Sequence, residues 1–443
     1  MTAIAAPELW SHVFIKSSSR SDDIPRLFVS RSGELPLDVD VGHKLAAAIP
    51  YVNRLRALAC KGCVVADFPK ISNLPVPLLK TLHISFFGYL GNRNTVLPTV
   101  FDGNLPSLRE FVAIGCNPFP ENSLKHLSSF RLEYKHADDG PKFWIPFFAM
   151  LRDSPQLEEL FLRLHTTSRY SPSIQDIHTP VTLRALQRLH IYQTPSVLTR
   201  QFLTLLNLAS NKIAMRFTNI GPESNWIFPP TLPLKLSFCA VTSLEIIYPP
   251  AQGFILQGTN NEMQIRVARA SDSRAMHMGM YSIFSLFAPP VDSEFPLREL
   301  WIHVGRTKEY GLPTLSKFPR LQKMVVKGIE DPICRVLWGL KTVSGKIPCP
   351  LLSTLDISGE LPIETLVEVL RDRQEAGYRL KRLRLEKTQR VTEDFKLQVR
   401  NYIDELELFR AHAEPRSMEL PAICTTEEGE WWNSWLNHEV QYL

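Results

Sequence analysis

The sequence has no long apolar run. Its longest, "FWIPFFAML" at 143–151, is nine residues, against the roughly 20 that a helical membrane span requires. No basic segment followed by an apolar core marks the N-terminus as a secretory leader. Cysteine is sparse and odd in number, seven along the chain, which excludes a disulfide framework as the organising principle. No N-x-[ST] acceptor is present. Together these absences point to the cytosol or the nucleus, with no membrane partner. Charge of one sign is also lacking. The 50 basic and 45 acidic residues leave a net +5, dispersed rather than focused as a nucleic-acid footprint would be. Glycine is low (20) and proline high (34). Many prolines imply many short connections of fixed geometry and argue against a continuous helical bundle.

The motifs of catalysis are missing too. There is no G-x-S-x-G, H-E-x-x-H or G-x-G-x-x-G. "GLKTVSGKI" (339–347) spaces its glycines one residue too far apart for a phosphate loop, and Ile347 stands where a metal-binding hydroxyl is needed. "CKGC" (60–63) has no second Cys or His pair to complete a zinc site. Cys60 occupies an apolar position and reads as a buried cysteine. The expectation is a non-enzyme with no catalytic, cofactor-binding or metal-binding residues.

What the chain has is repetition. The pattern L-x-x-L-x-L, with other apolar residues allowed, recurs as "LRALAC" (55–60), "LKTLHI" (79–84), "LREFVA" (108–113), "LSSFRL" (127–132), "LEELFL" (157–162) and "LQRLHI" (186–191). It continues as "VTSLEI" (241–246), "LRELWI" (297–302), "LQKMVV" (321–326), "LSTLDI" (352–357) and "LKRLRL" (380–385). The fourth positions are spaced by 19 to 31 residues, apart from two steps of 55 and 56. Each long step is close to two repeats, and "IAMRF" (213–217) and "MQIRV" (263–267) are the expected hidden strands. A period near 28 fits the leucine-rich repeat, a strand followed by a helix or tight turn. Between strands, "PIETLVEVLRDRQEAG" (362–377) reads as a helix with Ile363, Leu366, Val367 and Leu370 on one face and Gly377 as its stop. "LTRQFLTLLNLASN" (198–211), "SIFSLFAP" (282–289) and "TEDFKLQVRNYIDELELF" (392–409) also read as helical, the last with Thr392 and Asp394 as possible caps. "GFILQGTNNEMQIRVAR" (253–269) reads as a β-hairpin. The expected fold is α/β: an irregular leucine-rich-repeat solenoid, or horseshoe, with a parallel concave sheet and helices or turns on the convex side.

Strand parity then separates core from surface. Leu160, Leu162, Leu189 and Ile191 face inward. The intervening residues Glu159, Phe161, Arg163, His165, Arg188, His190, Tyr192, Glu299, Trp301 and His303 face the concave surface and are the candidate partner-binding residues. Large aromatics with arginine are frequent interface anchors. On this parity Leu189→Asp disrupts the fold and His190→Ala leaves it intact. The basic run "RLKRLRLEKTQR" (379–390) reads mainly as a solvated strand and turn, with binding of an acidic partner or phosphate as the alternative. Trp431, Trp432 and Trp435 read as a cap on the last repeat or as a docking peptide.

"APELWSHVFIKSSSRSDDIPRLFVSRSGELPLDVDV" (6–41) followed by such repeats resembles the fungal F-box proteins with irregular leucine-rich repeats. It is similar to the segment after the F-box core, where a "TP-x-LW" phrase closes a helix and "RSG-x-x-PL" precedes the first strand. "PELWSHVF" also resembles the opening of an F-box, but residues 15–35 hold neither the Trp nor the Cys that would follow. The resemblance implies residues 1–20 as the remnant of an F-box C-terminal helix and 21–49 as a linker helix and first strand. Residues 50–410 would be the repeats, and 411–443 a cap or tail. It implies a substrate receptor of a cullin-RING ubiquitin ligase that binds an unidentified protein. The ligase adaptor would be engaged only if a complete F-box is supplied. A standalone repeat scaffold is the alternative.

Overall fold

The computed structural model describes residues 6–15, 23–42, 45–63, 70–71, 73–86, 101–103, 105–115, 124–134, 141–164, 180–192, 194–208, 213–218, 243–247, 253–259, 264–270, 297–304, 315–342, 345–387, 391–410, 425–426 and 429–430. The chain forms two compact units, 1–210 and 211–443. Both are α/β with largely parallel sheets. No helix among the described residues is long and apolar enough to cross a membrane.

The first unit is built on strands β1 (His12–Phe14), β2 (Leu37–Asp40), β3 (Leu55–Cys63), β4 (Thr81–Phe86), β5 (Glu110–Ile114), β6 (Ser129–Tyr134) and β7 (Glu159–Leu164). A short β8 (Val181–Leu183) precedes β9 (Arg188–Tyr192), and β10 (Leu206–Leu208) pairs with β8. Strands β1 to β7 and then β9 lie side by side, each parallel to the last. The second unit holds β11 (Ala214–Thr218), β12 (Ser243–Ile247), β13 (Gly253–Thr259), β14 (Gln264–Ala270), β15 (Glu299–Val304), β16 (Lys323–Gly328), β17 (Thr354–Gly359), β18 (Leu380–Glu386) and β19 (Ile403–Phe409). Strands β15 to β19 are parallel in sequence order. The hairpin β13–β14 interrupts the pattern: β13 is antiparallel to both β12 and β14, and β14 runs parallel to β11.

All eleven L-x-x-L-x-L segments are strands, and their fourth positions are in register. Leu58, Leu82, Phe111, Phe130, Leu160 and Leu189 are cross-strand partners in turn. Leu244, Leu300, Met324, Leu355 and Leu383 repeat this in the second unit. In each row where burial is described these side chains are fully buried, and each contributes roughly 1.5–3 kcal/mol.

The first leucine of the pattern closes a tight turn. Leu79, Leu108, Leu157, Leu321 and Leu352 each donate their N–H to the carbonyl three residues back, at 3.0–3.2 Å. The second residue of each turn is a proline: Pro77, Pro106, Pro155, Pro319 and Pro350. Proline pre-sets the backbone angle required there, which accounts for part of the high proline content.

Helices α1 (Asp23–Arg31), α2 (Pro141–Asp153), α3 (Ser196–Leu205), α4 (Glu330–Trp338), α5 (Ile363–Glu375) and α6 (Glu393–Arg400) fill the connections. The long apolar run lies in α2, whose Phe143, Trp144, Phe147 and Phe148 are at most 1% exposed. With Tyr134 and Phe202 they form an aromatic cluster with ring spacings of 4.3–5.9 Å. Gly33 (φ +57°) follows α1, and Gly377 (φ +84°) follows α5. The Thr392 hydroxyl accepts from the Phe395 amide at 3.2 Å and caps α6.

Several expectations are corrected. The helix expected over 392–409 ends at Arg400. An Asn401–Tyr402 turn leads into β19, where "IDELEL" (403–408) is a twelfth copy of the pattern, with Leu406 opposite Leu383. The helix expected over 198–211 gives way to β10 at Leu206. Over its described residues, the expected F-box helix remnant at 1–20 is a single 3₁₀ turn, Pro7–Trp10, followed by β1. Trp10 packs edge-on against Phe28 of α1 (5.0 Å) under the Arg31 guanidinium (4.5 Å). Cys60 is buried as expected, but it is joined to Cys63 by a disulfide. Plain alternation would put i and i+3 on opposite faces. The register shifts between Lys61 and Cys63, with Gly62 at φ +81°, and this bulge turns both cysteines inward. Residues 282–289 and the tryptophans 431, 432 and 435 lie outside the described residues.

Candidate interaction face

The face opposite the leucines carries two networks, one in each unit. In the first unit, β6, β7 and β9 present three cross-strand rows: Ser129–Glu159–Arg188, Arg131–Phe161–His190 and Glu133–Arg163–Tyr192. The Arg131 guanidinium stacks 4.6 Å above the Phe161 ring, and Arg163 lies 5.1 Å above Tyr192. His190 meets Phe161 edge-on at 4.8 Å. Glu133 binds Arg131 and, at 3.4 Å, Arg163. Glu159 pairs with Arg188 and accepts from the Ser129 hydroxyl at 3.3 Å.

In the second unit the corresponding strand positions hold different chemistry. Glu299 accepts from Lys323 (2.7 Å) and from the Trp301 indole N–H (2.9 Å). Lys323 and Lys327 lie 5.1 and 5.2 Å from the Trp301 ring, with His303 stacked on it at 6.3 Å. Farther along, Arg384 bridges Asp356 and Glu407, both at 3.0 Å, and Arg382 pairs with Glu405 at 2.9 Å. Arg379, Arg382 and Arg384 of the basic run are thus paired with carboxylates of β19, while Leu380, Leu383 and Leu385 point inward. Arg390 lies outside the described residues.

The parity assigned from sequence is the parity found, but the exposure is not. Phe161 (5%), His190 (1%), Tyr192 (9%) and Trp301 (5%) are buried, in contact with neighbouring arginines, lysines and rings on the same face. Glu159, Arg163, Arg188, Glu299 and His303 are half-buried. His165 lies outside the described residues. The sequence reading omitted Arg131, Glu133, Asp356 and Glu407 and took in Arg384 only as part of the basic run, though each sits at a face position of a strand. Applying the parity rule to every segment would have found Arg131, Glu133 and Asp356, whereas Glu407 lies on β19, which the sequence presented as a helix.

His83 of β4 belongs to the Arg131 row, two strands away through Val112. Burial, then the charges of Lys61 and Arg131, hold its imidazole below the usual histidine range. Away from this face, Arg373 of α5 is fully buried. Its Nη1 and Nη2 donate to the Pro348 and Cys349 carbonyls at 2.9 and 3.0 Å. Burial pushes the pKa of this guanidinium down and that of the Cys349 thiol up to about 12. Among the described residues no three His, Cys, Asp or Glu side chains converge as a metal site would require.

No protein-family model matches this sequence, and no curated protein matches it.

Proposed function

We propose that the chain is a non-catalytic protein-binding protein, an irregular leucine-rich-repeat solenoid that receives a partner protein on the polar face of its sheet. The observation that carries this reading is the register of the apolar ladder. Within each unit the pattern segments, spaced like repeats, place one row of side chains after another on one face of the sheet, which is how a repeat protein assembles an extended binding surface. The polar face is rich in Arg, Trp, Tyr and Phe, the residue types that anchor interfaces. The resemblance of residues 6–41 to the segment after an F-box core supports a more specific role: substrate reception for a cullin-RING ubiquitin ligase in the cytosol or nucleus.

The test has two arms. Proximity labelling identifies a partner, and co-precipitation is then repeated with Arg188→Glu and Lys323→Glu. Capture is expected to fall about tenfold in at least one variant, the scale of an interface anchor, with each variant still folded by thermal melting. Undiminished capture by both would move the interface elsewhere. Separately, the chain is mixed with the purified ligase adaptor. Association supports the ligase role. Partner binding without adaptor association favours the alternative, a standalone scaffold.

A further inference from the structure

We infer that Cys60 and Cys63 form a reversible thiol–disulfide pair that sets the bulge in β3. Four observations meet at this point. The two sulfurs are bonded and both side chains are buried, at 0% and 2% exposure. Gly62 between them lies at φ +81°, a conformation that glycine adopts without penalty. The Gly62 amide, displaced from the regular ladder, donates to the Ser85 hydroxyl of β4 at 3.2 Å. Lys61, within the same loop, reaches Asp40 of β2 at 3.4 Å.

Plain alternation would bury Cys60 and Gly62 and turn Cys63 outward. The bulge is what makes the bond possible, and the bond is what holds the bulge. Opening it frees β3 to return toward regular alternation, which loosens the Gly62–Ser85 bond and releases Lys61 from Asp40. Lys61 and Ser85 flank His83 on the polar face, so the pair couples redox state to the local shape of that face. In a glutathione-buffered compartment a disulfide is held only transiently and serves sensing more often than architecture. Cys349 does not compete, because burial raises its thiol pKa to about 12 and keeps it protonated at neutral pH.

The oxidant is a low-molecular-weight disulfide such as oxidised glutathione. One cysteine thiolate attacks it, forms a mixed disulfide and expels one small thiol. The second cysteine thiolate displaces the other small thiol and closes the bond. The protein loses two electrons and two protons, and the small disulfide leaves as two thiols.

The test uses the full chain equilibrated across a series of reduced-to-oxidised glutathione ratios. It is then unfolded, alkylated and analysed by mass for the peptide containing Cys60 and Cys63. That peptide is expected to pass from two labels to none across the series. Amide exchange at Gly62 is expected to slow by about tenfold in the oxidised form, the scale on which a very short loop restricts the chain. Cys63→Ser is expected to exchange as the reduced form does in every buffer. An unchanging label count, equal exchange in both forms, or a buffer response that survives Cys63→Ser would each overturn the proposal. None of these readouts depends on a partner being known.

Discussion

The two units use one backbone plan, and strands β6, β7 and β9 of the first and β17–β19 of the second carry different surface chemistry. In the first, the polar face is closed by cations stacked on rings: Arg131 on Phe161 and Arg163 on Tyr192, with His190 wedged against Phe161. In the second, β17 to β19 carry a ladder of opposite charges, Asp356–Arg384–Glu407 and Arg382–Glu405. The leucine rows beneath are alike. The face residues therefore do not determine the strand pairing, and they are free to differ in what they recognise and in how much stability they add. Stacked rings bury large apolar areas, whereas the exposed Arg382–Glu405 pair adds little and is screened by salt.

That contrast can be broken from beneath or sharpened from above. The largest effect is expected from Leu189→Asp, which places a charge in a fully buried row and costs several kcal/mol. Thermal melting should show the first unit unfolded, and Leu355→Asp should do the same to the second. Next is Phe161→Ala, at about 3–5 kcal/mol, because its ring supports both Arg131 and His190. Denaturant titration checks it, and a loss under about 1 kcal/mol would deny the ring stack its structural weight. Arg373→Leu leaves the Pro348 and Cys349 carbonyls without their buried donor and is expected to cost about 1–3 kcal/mol. His83 gives a pH dependence of definite sign. Its folded-state pKa lies below the ordinary value of 6.5, so the unfolded chain takes up a proton that the folded chain resists. The His83 contribution is flat above 6.5 and falls as pH drops from there toward the lowered value, and His83→Asn should remove that part of the slope. The smallest effect is expected from Arg382→Ala, whose pair with Glu405 is solvent-exposed and contributes at most about 1 kcal/mol. A loss comparable to that of Phe161→Ala would erase the distinction between the two faces.

The strands were legible because burial enforces a period of two wherever leucine alternates with charge, and "LEELFL" and "LKRLRL" carry that signal without help. β19 was missed for a physical reason. Phe395, Val399, Tyr402, Ile403 and Leu406 fit a helical spacing as well, and only the pairing of Leu406 with Leu383 decides for a strand. The exposure of the face was legible only in part. Parity says which way a side chain leaves the sheet, but not whether Arg131 will lie down over Phe161. His190→Ala, expected from sequence to leave the fold intact, removes a ring packed edge-on against Phe161 at 1% exposure. Arg373 falls on the buried stripe of α5, three residues after Leu370. A long cation is ordinarily read as exposed, and nothing local announces the two carbonyls it binds. The inward turn of Cys63 depends on Gly62 adopting a positive φ, which the sequence permits but does not require.

The prolines of the five strand-leading turns also bear on the chain before it folds. Pro77, Pro106, Pro155, Pro319 and Pro350 restrict the unfolded ensemble at the points where a strand must begin. A proline whose native angle suits it stabilises by about 0.4–1 kcal/mol, through states the unfolded chain no longer samples. Five such sites together are worth about 2–5 kcal/mol, and no contact in the folded molecule records that share of its stability.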